Sequence, residues 1–228
     1  MDGGTGEQGR ILTVANIVLA VFIAAALIGF AIFGFVKDPP KEKSGTQHAD
    51  TAARLRDRVI DPAKLIEAEI FPQRSFAVQS HRYTLLAQEN LHSCPSAARG
   101  DRLIQALGNY ECNQVIRGTM RDDSGQYAAT LGIANLADAP GAAEIDQLLN
   151  DPGGNGAFTL QSLPNADNRL KSRKKVIDHR SQGHYLLFVT VVKLDVPDYD
   201  ATDPVVTAML RDGLDRLASV INARAPGG

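Results

Sequence analysis

The chain has no tryptophan and only two cysteines, Cys94 and Cys112. Without tryptophan it lacks the broad indole platform on which sugar rings often stack. Two cysteines cannot frame a disulfide-rich miniprotein, and they cannot complete a zinc site without other ligands. Positive charge is not in excess either. Twenty-four Lys and Arg face 26 Asp and Glu for a net charge of −2, so the basic footprint of a nucleic-acid binder is absent and no nucleic-acid partner is expected. The histidines at 48, 81, 92, 179 and 184 show no HxH or HxxxH spacing. Gly153-Gly154-Asn155-Gly156 has no following Lys-Ser/Thr to hold a phosphate and its metal. Asp195, Asp198, Asp200 and Asp203 space oxygen ligands loosely, with Pro197 and Pro204 where a calcium loop needs a glycine and a closing bidentate acid. No catalytic residue, metal site or cofactor is assigned on these patterns.

Against these absences stands one long apolar run. Residues 11–36, ILTVANIVLAVFIAAALIGFAIFGFV, carry no charge. As a helix they would extend roughly 39 Å, more than the ~30 Å hydrocarbon core of a bilayer. A helix is the form in which one isolated segment satisfies its backbone in lipid. A cleaved signal peptide has an apolar region of only ~7–15 residues closed by a small-residue cleavage site, whereas Ala24-Ala25-Ala26 falls mid-segment and Arg10 is the only basic residue before it. The expected organisation is a short tail at 1–10, a transmembrane helix at 11–36, a juxtamembrane linker and stalk at 37–74, one globular domain at 75–223 and a tail at 224–228. The bilayer is therefore the first expected partner, through residues 11–36.

Within the domain, FAVQSHRYTLLAQ has strand composition. The stretch opened by Cys94-Pro95 puts Leu103, Ile104 and Leu107 on one helical face, with Gly108 as its C-cap. CNQVIRGTM and QYAATLGIANL form a hairpin across DDSG, Ala142–Asn150 a second helix, and FTLQSLP a further strand. HYLLFVTVVKL, residues 184–194, is apolar on both faces, as a central strand is. A last helix starts at Pro204, is capped by Thr202 or Asp203, and buries Val206, Met209, Leu210, Gly213, Leu217, Val220 and Ile221. Its exposed side is expected to carry Arg211–Asp215 and Asp212–Arg216. Hairpins interrupted by helices predict an α+β fold: a mainly antiparallel sheet with helices on one face, as in a ferredoxin-like or related sandwich.

Two sets of residues stand out as candidate sites. Cys94 and Cys112 are the disulfide candidate. The alternatives are inert buried thiols, or a Cys94 nucleophile served by His92, His81 or His179. A straight helix from Pro95 to Leu107 would span roughly 20 Å, so a bridge requires a helix starting after Gly100 or a chain that doubles back before Cys112. Arg169, Lys171, Arg173, Lys174, Lys175 and Arg180 form a basic run able to attract anionic lipid, an anionic polymer or an acidic partner, or simply to solvate a face.

The residues argue for sidedness in two directions. Lys37, Lys41 and Lys43 outnumber Arg10 across the apolar run, which favours the domain inside. A disulfide favours an oxidising compartment. The stretch from Cys94 to Leu136 (C…LIQALGNYECNQVIRGTM…YAATLGIANL), with Ile70-Phe71-Pro72 before it and Gly183-His184-Tyr185 after, resembles uncharacterised single-pass membrane proteins of high-GC Gram-positive bacteria. That resemblance implies an extracytoplasmic domain and transfers no site residue. The function expected is a membrane-anchored extracytoplasmic binding, sensing or scaffold domain. The alternatives are a hydrolase acting on the envelope or an accessory subunit of a membrane complex, with a membrane or envelope protein as partner.

Overall fold

The computed structural model describes residues 51–78, 81–151, 156–159, 174–194 and 200–224. The expected transmembrane helix at 11–36 lies outside them, as does the first part, 37–50, of the linker and stalk expected over 37–74. Among the described residues no helix is long and apolar enough to cross a membrane.

The fold is α+β around a six-stranded, wholly antiparallel sheet. In chain order the elements are α1 (Glu67–Ile70), β1 (Ser75–Val78), β2 (His81–Leu91), a 3-10 turn (Cys94–Ala97), β3 (Ala98–Arg99), α2 (Asp101–Asn109), β4 (Gln114–Asp122), β5 (Tyr127–Asn135), α3 (Ala139–Asn150), β6 (Ala157–Phe158), β7 (Val176–Gln182), β8 (Tyr185–Lys193) and α4 (Pro204–Arg224). The large sheet runs β1-β2-β4-β5-β8-β7, while β3 and β6 pair separately. The β4–β5 hairpin forms where expected, because Asp122 accepts from the backbone N–H of Ser124 at 3.1 Å and of Tyr127 at 2.9 Å. Strand β8 is flanked by β5 and β7 on its two edges, the setting its two-sided apolar sequence calls for.

Both faces of the sheet are covered, which corrects the one-face expectation. Ala129, Leu131 and Ile133 of β5 and Leu187, Val189 and Val191 of β8 share a core with Val206, Met209, Leu214, Leu217 and Ile221 of α4. The alternate residues Ala134, Leu186 and Phe188 join Leu103, Leu107, Ala142 and Ile145 of α2 and α3 on the other side. Period-two alternation sends each strand's neighbours to opposite cores, so a sheet apolar on both faces must be covered twice. The ferredoxin-like expectation fails for the same reason and for its pairing. Strands β5 and β7 bracket β8 as a split βαβ unit would, but β2 and β4, linked through α2, are antiparallel neighbours. On the α4 side the helix approaches closely: a Cβ on Gly213 would stand 2.9 Å from Val189.

Residues 55–71 form an arm packed into the fold, so the folded unit begins before residue 75. Leu55, Leu65, Ile70 and Phe71 are buried in the α4-side core. The arm crosses the end of the sheet where β4 starts and β5 ends: Gln114 bonds both backbone groups of Leu65, at 3.1 and 2.9 Å. The N–H of Arg58 donates to Ala137 O and that of His184 to Leu55 O. The same end receives the last turn of α4, where Arg224 donates to Ala63 O at 2.5 Å and lies 3.6 Å from Asp61.

Candidate functional site

Cys94 and Cys112 form a disulfide, with S–S 2.02 Å and Cα atoms 6.0 Å apart. The oxidised sulfur removes Cys94 as a nucleophile. Two local devices bring the cysteines together. The turn opened by Cys94 is only four residues long, and α2 starts afresh behind Gly100, whose φ of +89° lies where side chains are rarely accommodated. At the other end the helix closes in a Schellman motif: the N–H of Cys112 donates to Leu107 O at 2.8 Å and that of Glu111 to Gly108 O at 3.1 Å. Tyr110 is therefore the C-cap in place of Gly108, and Glu111 takes the left-handed position at φ +49°. The chain turns back on itself and delivers Cys112 to Cys94.

The clamped helix is one wall of a cleft. Tyr110, at the end of α2, packs on Gly141, at the start of α3, so tightly that a Cβ there would meet the ring at 2.8 Å. Asp138 caps α3 by accepting from Gly141 N at 2.8 Å. At the opposite end Arg102 lies 3.7 Å from Asp151. The two helices thus run antiparallel, pinched at the Tyr110 end, around a volume of about 410 Å³. Its lining is mainly polar, with Gln105, Asn109 and Tyr110 from the α2 side facing Glu144 and Gln147. Side-chain amides both donate and accept, and a carboxylate accepts only, so the cleft can match a ligand bearing several hydroxyl or amide groups. The sequence contains a trace of it: positions 102, 105, 106 and 109, and again 144, 147, 148 and 151, follow the i, i+3, i+4, i+7 spacing of one helical face. Gln105, Asn109, Glu144 and Gln147 are exposed, as polar residues on such a face are, and only the second helix alongside turns that surface into a cleft.

The basic run does not form one patch among the described residues. Arg169, Lys171 and Arg173 lie outside them. Lys174 is exposed and Lys175 half-buried, its ammonium pKa lowered first by burial and then by Arg99. Arg180 belongs to the edge strand β7 and turns to α4, donating to Leu214 O at 3.2 Å and standing 3.6 Å from Asp215. The end of the run enters strand β7, and Val176 and Gln182 also pack against α4-side groups.

Three histidines meet carboxylates. His179 Nδ1 is 2.6 Å from Asp146 Oδ1, and Ser181 donates to the other oxygen of Asp146 at 3.4 Å. The serine hydroxyl is thus taken up by the carboxylate. His184, wholly buried, contacts Leu136 O at 3.1 Å through Nδ1 and lies 3.5 Å from Asp61. Burial lowers its pKa, outweighing the Leu136 carbonyl and Asp61, which raise it. Tyr185 donates to the same Asp61 at 2.6 Å, and its phenol pKa is raised by burial and that carboxylate. His81 Nδ1 stands 3.6 Å from Asp212. Asp212 corrects the sequence reading: it is 2% exposed, holding Tyr83 at 3.5 Å and Arg211 at 3.0 Å, on the stripe that faces the sheet. Asp203, by contrast, caps α4 as expected, accepting from Val205 N at 2.9 Å and from the Tyr127 hydroxyl at 2.9 Å. Asp195 and Asp198 lie outside the described residues, as do Gly153, Gly154 and Asn155.

No family model, curated protein or solved structure matches the chain.

Proposed function

We propose that the chain is a membrane-tethered binding domain acting on the outer side of the membrane, held by residues 11–36, with the α2–α3 cleft as its ligand site. The observation that carries this reading is the placement of the disulfide. The covalent clamp closes around α2, one wall of the cleft, so the bond that suits an oxidising compartment also fixes the binding geometry. Pre-fixing a wall lowers the ordering cost that a ligand would otherwise meet. A volume of about 410 Å³ falls within the usual range for small-molecule sites. Its polar lining selects for a hydrogen-bonding ligand of disaccharide or short-peptide size.

The hydrolase alternative has one specific observation behind it, the His179–Asp146 pair at 2.6 Å. A titration of the full chain in detergent with soluble oligosaccharides and short peptides, followed by amide chemical shifts, separates the two. Binding predicts shifts confined to α2 and α3 that disappear in a Gln105→Ala/Gln147→Ala variant of unchanged melting temperature. Turnover of any of these compounds, abolished by a well-folded His179→Gln variant, would replace the binding reading with the enzymatic one.

A further inference from the structure

We infer that the arm end of the domain lies against the lipid surface, with Val59 and Ile60 as its apolar contact. This rests on the tethered reading above and specifies how the tethered domain is oriented. Of the four large apolar side chains found exposed among the described residues, three are in the arm: Val59 at 89%, Ile60 at 48% and Ile66 at 54%. Scattered exposed leucines need no explanation. A turn crest made of two β-branched residues does, because such positions normally carry Gly, Asn, Asp, Ser or Pro.

The turn is firmly built. Asp57 accepts from Ile60 N through its carboxylate at 2.9 Å, and its carbonyl takes the N–H of Asp61 at 3.1 Å. The Ile60 amide also holds the Asp57 carboxyl below its ordinary pKa, with Arg56 adding to the effect. On one side Asp57 bridges to Asp138, and Arg58 N donates to Ala137 O at 2.9 Å. On the other, Asp61 receives the Tyr185 hydroxyl at 2.6 Å. Both flanks of the crest are tied to the end of the sheet, so the crest cannot fold its apolar side chains inward without breaking those ties.

The length of chain before the arm says what the crest meets. Fourteen residues separate the apolar run ending at Val36 from Thr51, the first described residue, and fully extended they span at most about 50 Å. A tether of that length holds the crest at high effective concentration beside the bilayer. A small apolar tip then suffices for persistent contact, where it would not recruit a free protein from solution. This orientation turns the β4–β5 hairpin, roughly 30 Å away along nine-residue strands, toward the aqueous side. The Arg102–Asp151 end of the cleft points away from the membrane with it.

The absence of tryptophan makes the test direct. Full-length Val59→Trp, Ile60→Trp and Ser124→Trp variants each carry a single indole when reconstituted into phosphatidylcholine vesicles with or without brominated acyl chains. The Val59→Trp and Ile60→Trp emissions are expected to shift to the blue and to be quenched by the brominated lipid, while Ser124→Trp emission at the hairpin tip stays red and unquenched. Red, unquenched emission from both arm positions in chains that remain with the vesicles after carbonate washing would overturn the orientation and leave the tether standing. Equal quenching at all three positions would also overturn it, and loss of the chain on washing would remove the tether and the inference together.

Discussion

The two faces of the sheet are built on different principles. One is covered by a long helix, with the 55–71 arm beside it, and the helix's stripe of Val206, Met209, Leu214, Leu217 and Ile221 closes a continuous core. The other is covered by two short helices, one held by a disulfide, with a polar cleft left between them. A 21-residue helix can bury five turns against a sheet and needs no covalent help. A nine-residue helix buries about two turns, and short helices are marginal alone. The clamp therefore sits on the shorter helix, beside the cleft. The larger apolar core lies on one face, and the clamped helix with its cleft on the other.

Truncating the larger core should have the largest effect. Leu217→Ala, at a fully buried position, is expected to cost about 2–5 kcal/mol and to lower the melting temperature of the whole domain in one transition. Removing the clamp comes next. A Cys94→Ala/Cys112→Ala variant opens an 18-residue separation and should lose about 3 kcal/mol in the chain-entropy model. Hydrogen exchange should then rise first in α2 and α3 and last in α4. Uniform loss of protection would contradict the division between faces.

Glu111→Gly sharpens the same comparison from the other side. A non-glycine residue at φ +49° is strained by about 1–2 kcal/mol, part of which glycine returns through its larger unfolded-state entropy. Denaturant melts should show net stabilisation of about 0.5–1 kcal/mol, with α2 exchange slowed. The buried imidazole of His184 supplies a pH effect at the arm junction. Its folded-state pKa is lowered, so the unfolded chain binds the proton more readily and stability is complete above the ordinary value of 6.5. Stability falls as the pH drops below that value. A His184→Asn variant should lose this acid arm of the stability curve, measured by chemical denaturation between neutral and mildly acidic pH. The smallest effect is expected in the cleft: Gln105→Ala and Gln147→Ala should change stability by less than about 0.5 kcal/mol, as surface substitutions do.

Much of this was legible in the residues. The hairpin, the apolar strand at 184–194 and the Asp203–Pro204 start of the last helix follow from turn chemistry, two-sided hydrophobicity and capping, all of which act over a few neighbouring residues. The one-sided helix placement did not hold, because the second core is visible only when Ala134, Leu186 and Phe188 are read as a face of their own. Small residues such as Ala134 do not announce a core. Asp212 was missed since a charge at helical spacing from Arg216 looks solvated until strand β2 brings His81 and Tyr83 beneath it. Strand β7 was hidden by the lysines and arginines before it. The cleft depended on the antiparallel meeting of α2 and α3, which Tyr110 and Gly141 fix across thirty intervening residues.

The clamp and the proposed outward placement stand or fall together, and thiol labelling of intact cells tests both. A membrane-impermeant maleimide should leave the protein unlabelled as isolated in its native membrane, and should label both Cys94 and Cys112 once an impermeant phosphine has reduced the bond. Thiols that react without reductant, and only after the cells are lysed, would contradict the oxidised clamp and the outward placement alike.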